Sequence, residues 1–256
     1  EASRKQQRSA PASNRNPGIG STIRDRFVLE STLGAGGMGT VYRALDIRKQ
    51  EAQDSQPHIA IKLLSREIAG HPSAFRMLQR ETRKSQQLAH PNIITVFDFD
   101  RDDEIIYMTM EELRGETLDM LISRHPNGVP ADTARHIIDG ITQGLSYAHS
   151  KSIIHSDLKP SNVFLTDEGN VKLLDFGIAR AVSSSAAPSS DTQFDTEELG
   201  GLTPTYASVD MFAGKDPTPS DDVYALGLIT YELVTGLHPY GRAPAPKALS
   251  EQRSAD

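Results

Sequence analysis

Five short motifs, far apart along the chain but in one fixed order, constrain this sequence more than any bulk property. They are Gly34-Ala35-Gly36-Gly37-Met38-Gly39, Ile59-Ala60-Ile61-Lys62, Glu81, His155-Ser156-Asp157-Leu158-Lys159-Pro160-Ser161-Asn162 and Asp175-Phe176-Gly177. Any one of them occurs by chance in unrelated chains; the ordered set does not. A fold that uses them all must bring to one place a glycine turn, an apolar strand carrying one lysine, a helix carrying one glutamate, and two acidic loops.

The local patterns around the motifs change character along the chain. Short β-prone runs, Phe27 to Leu33, Val41 to Leu45 and Ile59 to Leu64, are separated by glycines and by the polar stretch Asp46 to His58. They predict an antiparallel sheet with a mobile loop between its second and third strands. Ser73 to Ala89 suits a helix, ended by His90-Pro91-Asn92 because the residue before proline is pushed out of the helical region. Strand-like runs Ile93 to Asp98 and Ile105 to Met110 follow. Beyond Gly115 helical periodicity takes over, with Ala134, Ile137, Ile138, Ile141, Leu145 and Ala148 on one face. Asp222 to Thr235 is apolar on nearly every face, which predicts a buried central helix. The expected class is α+β and bilobal. A small antiparallel β-rich N-lobe with one main helix spans 23–112, and a mainly helical C-lobe spans 113–256. Residues 1–22 carry Arg4, Lys5, Arg8 and Arg15 among polar residues and predict a disordered tail. Residues 182–201 form a long polar loop of the kind associated with disorder or function, and after Pro239 no further core element is evident.

Composition excludes several classes. The chain has no cysteine, which removes disulfides, thiolate metal sites and thiol catalysis. A net charge of -7 argues against a general nucleic-acid binder, since phosphate backbones demand clustered Lys and Arg. The longest apolar run, around Val223 to Val234, is interrupted by Glu232 and falls short of the roughly 18 residues of a membrane span. The first residue is Glu1 and no secretory signal pattern follows it, so a piece of a longer polypeptide is expected.

Each motif has a chemical and a bland reading. A glycine turn between strands lets backbone N–H groups approach phosphate without Cβ obstruction, although an ordinary glycine-rich hairpin looks the same. Here the glycines lead into a strand, Thr40 to Leu45, where a dinucleotide site would open a helix. Lys62 lies in an apolar strand, where a buried ammonium is costly without an anion; Glu81 on the following helix can supply one. Taken singly, a lysine with a packed stem and a solvated head is the commoner case. Asp157 can accept or orient a hydroxyl proton, while Asn162 and Asp175 are oxygen ligands suited to Mg²⁺ and ATP phosphates. As isolated residues, both aspartates would more often be turn or cap residues. His155 reads as structural, because no other His stands at metal-ligand spacing.

On these motifs the chain resembles the eukaryotic-type Ser/Thr protein kinases found in bacteria, over roughly Arg26 to Tyr240. The resemblance implies that Gly34 to Gly39 cover the ATP phosphates, that Leu33 belongs to the same nucleotide site, and that Lys62, paired to Glu81, binds the α and β phosphates. It implies an adenine sandwich of Val41, Ala60 and Phe164, with Met110 as gatekeeper and Glu111 to Leu113 as hinge. Asp157 would be the catalytic base and Lys159 a contact to the transferring phosphate. Asn162 and Asp175 would bind the metals, Mg²⁺ or alternatively Mn²⁺. Thr203 matches the family's P+1 threonine, and Asp222 the central-helix aspartate that holds the catalytic loop. Protein substrates, autophosphorylation and a role in signalling are implied. Dependence on ATP implies a cytoplasmic position, alone or as the cytoplasmic domain of a membrane-anchored protein; dimerisation is left open.

The sequence departs from the family at three places. Ser156 replaces the arginine that reads a phosphate on the activation loop, so activity is not expected to depend strictly on that phosphate. Ser208-Val209-Asp210 stands for the usual Ala-Pro-Glu, and the family's late helices are not reached, so either they lie beyond Asp256 or the C-lobe is truncated, which would expose apolar surface. Ser85, four residues after Glu81, is polar where many relatives are apolar, and suggests an easily displaced helix. The first two departures favour a second reading, a pseudokinase acting as nucleotide-binding scaffold or regulator. The intact Lys62, Glu81, Asp157, Asn162 and Asp175 oppose it. A small-molecule kinase is a third reading, disfavoured by Thr203-Pro204-Thr205-Tyr206, which resembles a peptide-positioning loop.

Overall fold

Alternation with period two governs the N-terminal half. A computed structural model of the protein describes residues 17–69, 74–176 and 205–251, apart from the side chains of Glu67, Ile68, Ala74, Met77 and Glu81. Its first elements are β1 (Thr22–Ile23), β2 (Phe27–Gly36), β3 (Gly39–Asp46), α1 (Ile47–Glu51) and β4 (His58–Leu64). They are followed by α2 (Arg66–Ala69), α3 (Ala74–Ser85), β5 (Val96–Asp102) and β6 (Ile105–Met110). The strands form one antiparallel sheet in the order β1-β2-β3-β4-β6-β5. On β4, Ile59, Ile61 and Leu63 point to one face and pack with Ile23, Phe27, Leu29, Ala44 and Tyr107. Ala60 points to the other, packing with Met108, Met110 and with Leu78 of α3. Burying a branched apolar side chain such as Ile59 or Ile61 contributes about 2 kcal/mol, so this strand is fixed in register from both sides.

Several expectations are corrected here. The stretch from Asp46 to His58 contains the short helix α1, which Asp46 caps by accepting the Arg48 amide at 3.1 Å. Residues 17–22, assigned by composition to a tail, are placed against β2: the Gly20 amide donates to the Leu29 carbonyl at 2.8 Å and Thr22 pairs with Val28. The main helix ends at Ser85, and β5 begins at Val96 because Ile93 and Ile94 are used elsewhere, as a bridge and a hydrogen bond to Leu173.

The second half comprises β7 (Gly115–Thr117), α4 (Leu118–Arg124), α5 (Ala131–Ser150), β8 (Val163–Thr166), β9 (Val171–Leu173), α6 (Val209–Phe212), α7 (Pro219–Thr235) and α8 (Ala245–Ser250). Its core joins Ile137, Ile141 and Leu145 of α5 to Ile229 and Leu233 of α7 and to Val171 and Leu173 of β9. Ile138, expected on the same face, is only partly buried. Two glycines let β9 lie against α5: a Cβ on Gly140 would sit 2.6 Å from Val171 Cβ, and one on Gly144 2.8 Å from Leu173 Cδ1. A Thr218/Asp221 capping box starts α7 and left-handed Gly236 ends it. This helix is not apolar-buried all round, because Val223 and Val234 are 60% and 58% exposed. Beyond Pro239, α8 is a core element that composition did not reveal, with Ala245 and Ala248 buried. The long loop expected at 182–201 lies outside the described residues.

Candidate active site

Strand pleating and register bring the N-lobe candidates together. Val41 pairs with Lys62 across β3 and β4, and Ala60 pairs with Met110 across β4 and β6, so all four lie on one face. Val41, Ala60, Met110 and Leu113 pack into one cluster with Met38 and with Leu174. Phe164, on β8 opposite Thr117, is half-buried and outside that cluster. Leu33, at an irregularity in the β2–β3 register, is 48% exposed.

The glycine motif forms the tip of the β2–β3 hairpin, where Ala35 pairs with Thr40 and Gly36 with Gly39 around Gly37 and Met38. Its glycines answer to different constraints. At Gly39, with φ +140°, an added Cβ would fall 2.0 Å from the Leu63 carbonyl oxygen, so the fold itself demands glycine. A Cβ on Gly34, Gly36 or Gly37 would meet no protein atom within 4 Å. Nothing in the packing excludes side chains there, which fits a surface left bare for a phosphate chain.

The two acidic loops meet beneath this hairpin. Lys62 Nζ lies 2.7 Å from Asp175 Oδ2, joining the lobes. Glu81 lies on α3, and its expected pairing with Lys62 falls outside the described side chains. Burial pushes the Asp175 carboxyl up, but the Lys62 ammonium, helped by His155 and Lys159, outweighs it and holds the group below the ordinary carboxylate range. Asp175 therefore stays ionised at neutral pH. Asp157 Oδ2 accepts from Lys159 Nζ at 2.8 Å and from Asn162 Nδ2 at 3.1 Å, and Asn162 Nδ2 also donates to the Asp157 carbonyl at 2.8 Å. With its Nδ2 turned to Asp157, Asn162 keeps its amide oxygen for a hard cation. Among the described residues there is no group of three or more His, Cys, Asp or Glu placed to hold a metal. The oxygens of Asn162 and Asp175 are of the kind that hold Mg²⁺ together with phosphate oxygens and water.

Asp222, 1% exposed at the start of α7, holds the loop before Asp157. It accepts the amides of His155 and Ser156 at 2.8 and 2.9 Å, and its Oδ2 also lies 2.8 Å from His149 Nε2. His155 is fully buried and its ring lies against Phe176, tilted by 44° with centroids 4.6 Å apart. Thr203 and Pro204 are outside the described residues. Tyr206 donates its hydroxyl to Glu232 Oε2 at 2.6 Å, and burial holds the Glu232 carboxyl above its usual range despite that bond. Asp210 forms an exposed ion pair with Lys215 at 2.8 Å.

Contributors invisible in the sequence emerge at the hinge and loops. Glu111 Oε1 accepts from the Thr95 amide and from Lys172 Nζ, each at 2.7 Å, and Glu112 Oε1 accepts from Arg43 Nε at 2.7 Å. Arg43 also reaches Glu30, at 2.6 Å, tying the hinge to β2 and β3. His149, Lys172 and Arg43 lie 73, 61 and 69 positions from their partners, so no local pattern could have signalled them. Among the described residues no helix is long and apolar enough to cross a membrane.

Comparison with known proteins matches the protein kinase domain model over residues 27–254. Serine/threonine-protein kinase PrkC of Bacillus subtilis is 34% identical over 222 residues, covering 87% of this chain and 32% of PrkC. PknA of Mycobacterium tuberculosis is 33% identical over 233 residues, covering 88% of this chain and 50% of PknA. The chain therefore spans a third to a half of the length of these curated relatives. The crystal structure of the Mycobacterium tuberculosis PknI kinase domain superposes with a TM-score of 0.69 at 28% identity, over 90% of this chain and 82% of that one. The ordered motifs, the two-lobed fold and these relatives agree: the chain belongs to the protein kinase family, as a catalytic domain of the eukaryotic-type Ser/Thr kind found in bacteria.

Proposed function

We propose that this domain transfers the γ-phosphoryl group of ATP to Ser or Thr hydroxyls of protein substrates, with Mg²⁺ as its metal. The observation that carries the reading is the convergence on one cleft of an ionised Asp175 held by Lys62 and an Asp157 carboxylate held by Lys159 and Asn162. Mg²⁺, held at this site, would supply positive charge to offset the charge that develops on the nucleotide phosphates. Asn162 and Asp175 supply its protein oxygens. Lys62 steadies the non-transferred phosphates, and the bare edge of the Gly34 to Gly39 hairpin lies over them. Val41, Ala60, Met110, Leu113 and Phe164 enclose the base, and Leu33 covers it at the rim.

Asp157 accepts the proton of the incoming hydroxyl as the new oxygen–phosphorus bond forms and the bond between the β-bridging oxygen and the γ-phosphorus breaks. Lys159 meets the charge on the transferring group. Catalysis here is chiefly positioning and electrostatic stabilisation. A domain that only bound nucleotide would have no use for a base and two metal ligands together, and nothing in the relatives favours the scaffold reading. Its use of ATP favours a cytoplasmic position. Incubation with γ-labelled ATP and Mg²⁺, followed by acid hydrolysis, is expected to yield phosphoserine or phosphothreonine in a reaction stopped by chelation. Label found only on tyrosine, or none at all from folded protein, would overturn the proposal.

A further inference from the structure

Asp175 is a non-glycine residue with φ +56°, in the left-handed region where an L side chain is strained. Such a conformation persists only where the surroundings fix it. On the N-terminal side, the Leu174 amide donates to the Asn162 carbonyl at 2.9 Å. The Asp175 carboxylate is held by Lys62, and the Phe176 ring packs against His155 at a tilt of 44°. On the C-terminal side, the Phe176 carbonyl accepts the hydroxyl of Ser85 at 3.3 Å. Ser85 is 6% exposed on the last turn of α3, and its polarity, unexpected at a position that is apolar in many relatives, gives the loop a hydrogen-bond donor.

We propose that Ser85 is a positioning residue for the metal ligand Asp175: its hydroxyl clamps the Asp175–Phe176 segment from α3 while Asn162 clamps it from the other lobe. The proposal rests on the kinase reading for the role of Asp175, and on geometry alone for the clamp. The two anchors come from opposite lobes, so a shift of α3 reaches the Asp175 backbone directly. Beside the hydroxyl lies a cavity of about 10 Å³, bounded by the apolar side chains of Ile93, Ile94, Val96, Met108 and Met110 and closed by Asp175 and Phe176 themselves.

The test uses the full chain with Ser85→Ala and Ser85→Thr. In protein free of metal and nucleotide, amide hydrogen exchange in a peptide spanning 171–177 is expected to rise about three- to tenfold in Ser85→Ala, the loss of one buried hydrogen bond. It should remain at the parent value in Ser85→Thr, whose hydroxyl is retained and whose methyl can enter the cavity. Exchange in α5 serves as the control for general loosening. Mg²⁺-dependent ADP binding should weaken in Ser85→Ala by a similar factor, with metal-free ADP binding unchanged. Unaltered exchange in Ser85→Ala, or equal changes in both variants, would overturn the clamp. Because neither readout needs turnover, a failure of phosphoryl transfer would leave the result interpretable.

Discussion

Asp222 Oδ1 accepts the backbone amide of Ser156 at 2.9 Å, at a residue whose φ of +66° is left-handed. The same carboxylate takes the His155 amide, so a strained turn immediately before Asp157 is held by one buried charge. Asp222→Ala is expected to cost about 3–5 kcal/mol in urea unfolding, the range for breaking a buried charged contact. It should also lower the transfer rate about 100-fold through misplacement of Asp157. A variant that kept either stability or rate would contradict this role.

Ser156 also bears on control. Its side chain is buried and carries no charge to meet a phosphate on the segment beyond Asp175. Phosphatase-treated protein is therefore expected to retain most of its initial rate. Loss of most of that rate, restored by rephosphorylation, would show that another cation does the reading.

The hairpin glycines should fail in different ways. Gly39→Ala places Cβ against the Leu63 carbonyl at a positive φ and is expected to cost about 1–3 kcal/mol of stability. Gly36→Ala, open on the protein side, should change stability by no more than about 0.5 kcal/mol while raising the KM for ATP. Thermal melts and initial rates on the two variants separate these effects.

Asp46 and Arg26 give a pH signature remote from the cleft. Asp46 is 1% exposed and accepts from Arg26 Nε and Nη2 at 2.9 and 2.7 Å. Burial pushes its carboxyl up, but Arg26 and the Arg48 amide outweigh this and leave it below the ordinary range. A depressed folded pKa contributes stability above the unfolded value of about 3.9 and loses it as pH falls through the folded value. Asp46→Asn, which can still cap α1, should cost about 1–3 kcal/mol at pH 7, and the gap to the parent should close in strong acid. A pH-independent gap would show that packing, not charge, is responsible.

Much of the site was legible because its chemistry is written locally: a glycine turn, a lysine in an apolar strand, and two acidic loops each have a short signature. The short β-prone runs such as Ile59 to Leu64 and the helical periodicity through Ala134–Ala148 likewise foretold the two lobes. What sequence missed is non-local or small. Helix α1 is five residues long and owes its start to the Asp46 cap, within a polar stretch that reads as loop. Helix α8 buries only alanines, too little apolar bulk to stand out. Ile93 and Ile94 look like strand but serve the contact to Leu173, a partner no local pattern names.

The most direct test of phosphoryl transfer at Asp157 compares the parent chain with Asp157→Asn for two quantities: label incorporated from γ-labelled ATP with Mg²⁺, and Mg²⁺-dependent ADP affinity. Removal of a general base should lower incorporation about 10²- to 10⁴-fold while nucleotide affinity stays at the parent value. Equal incorporation by both proteins, or none by a parent chain that binds the nucleotide, would contradict the account.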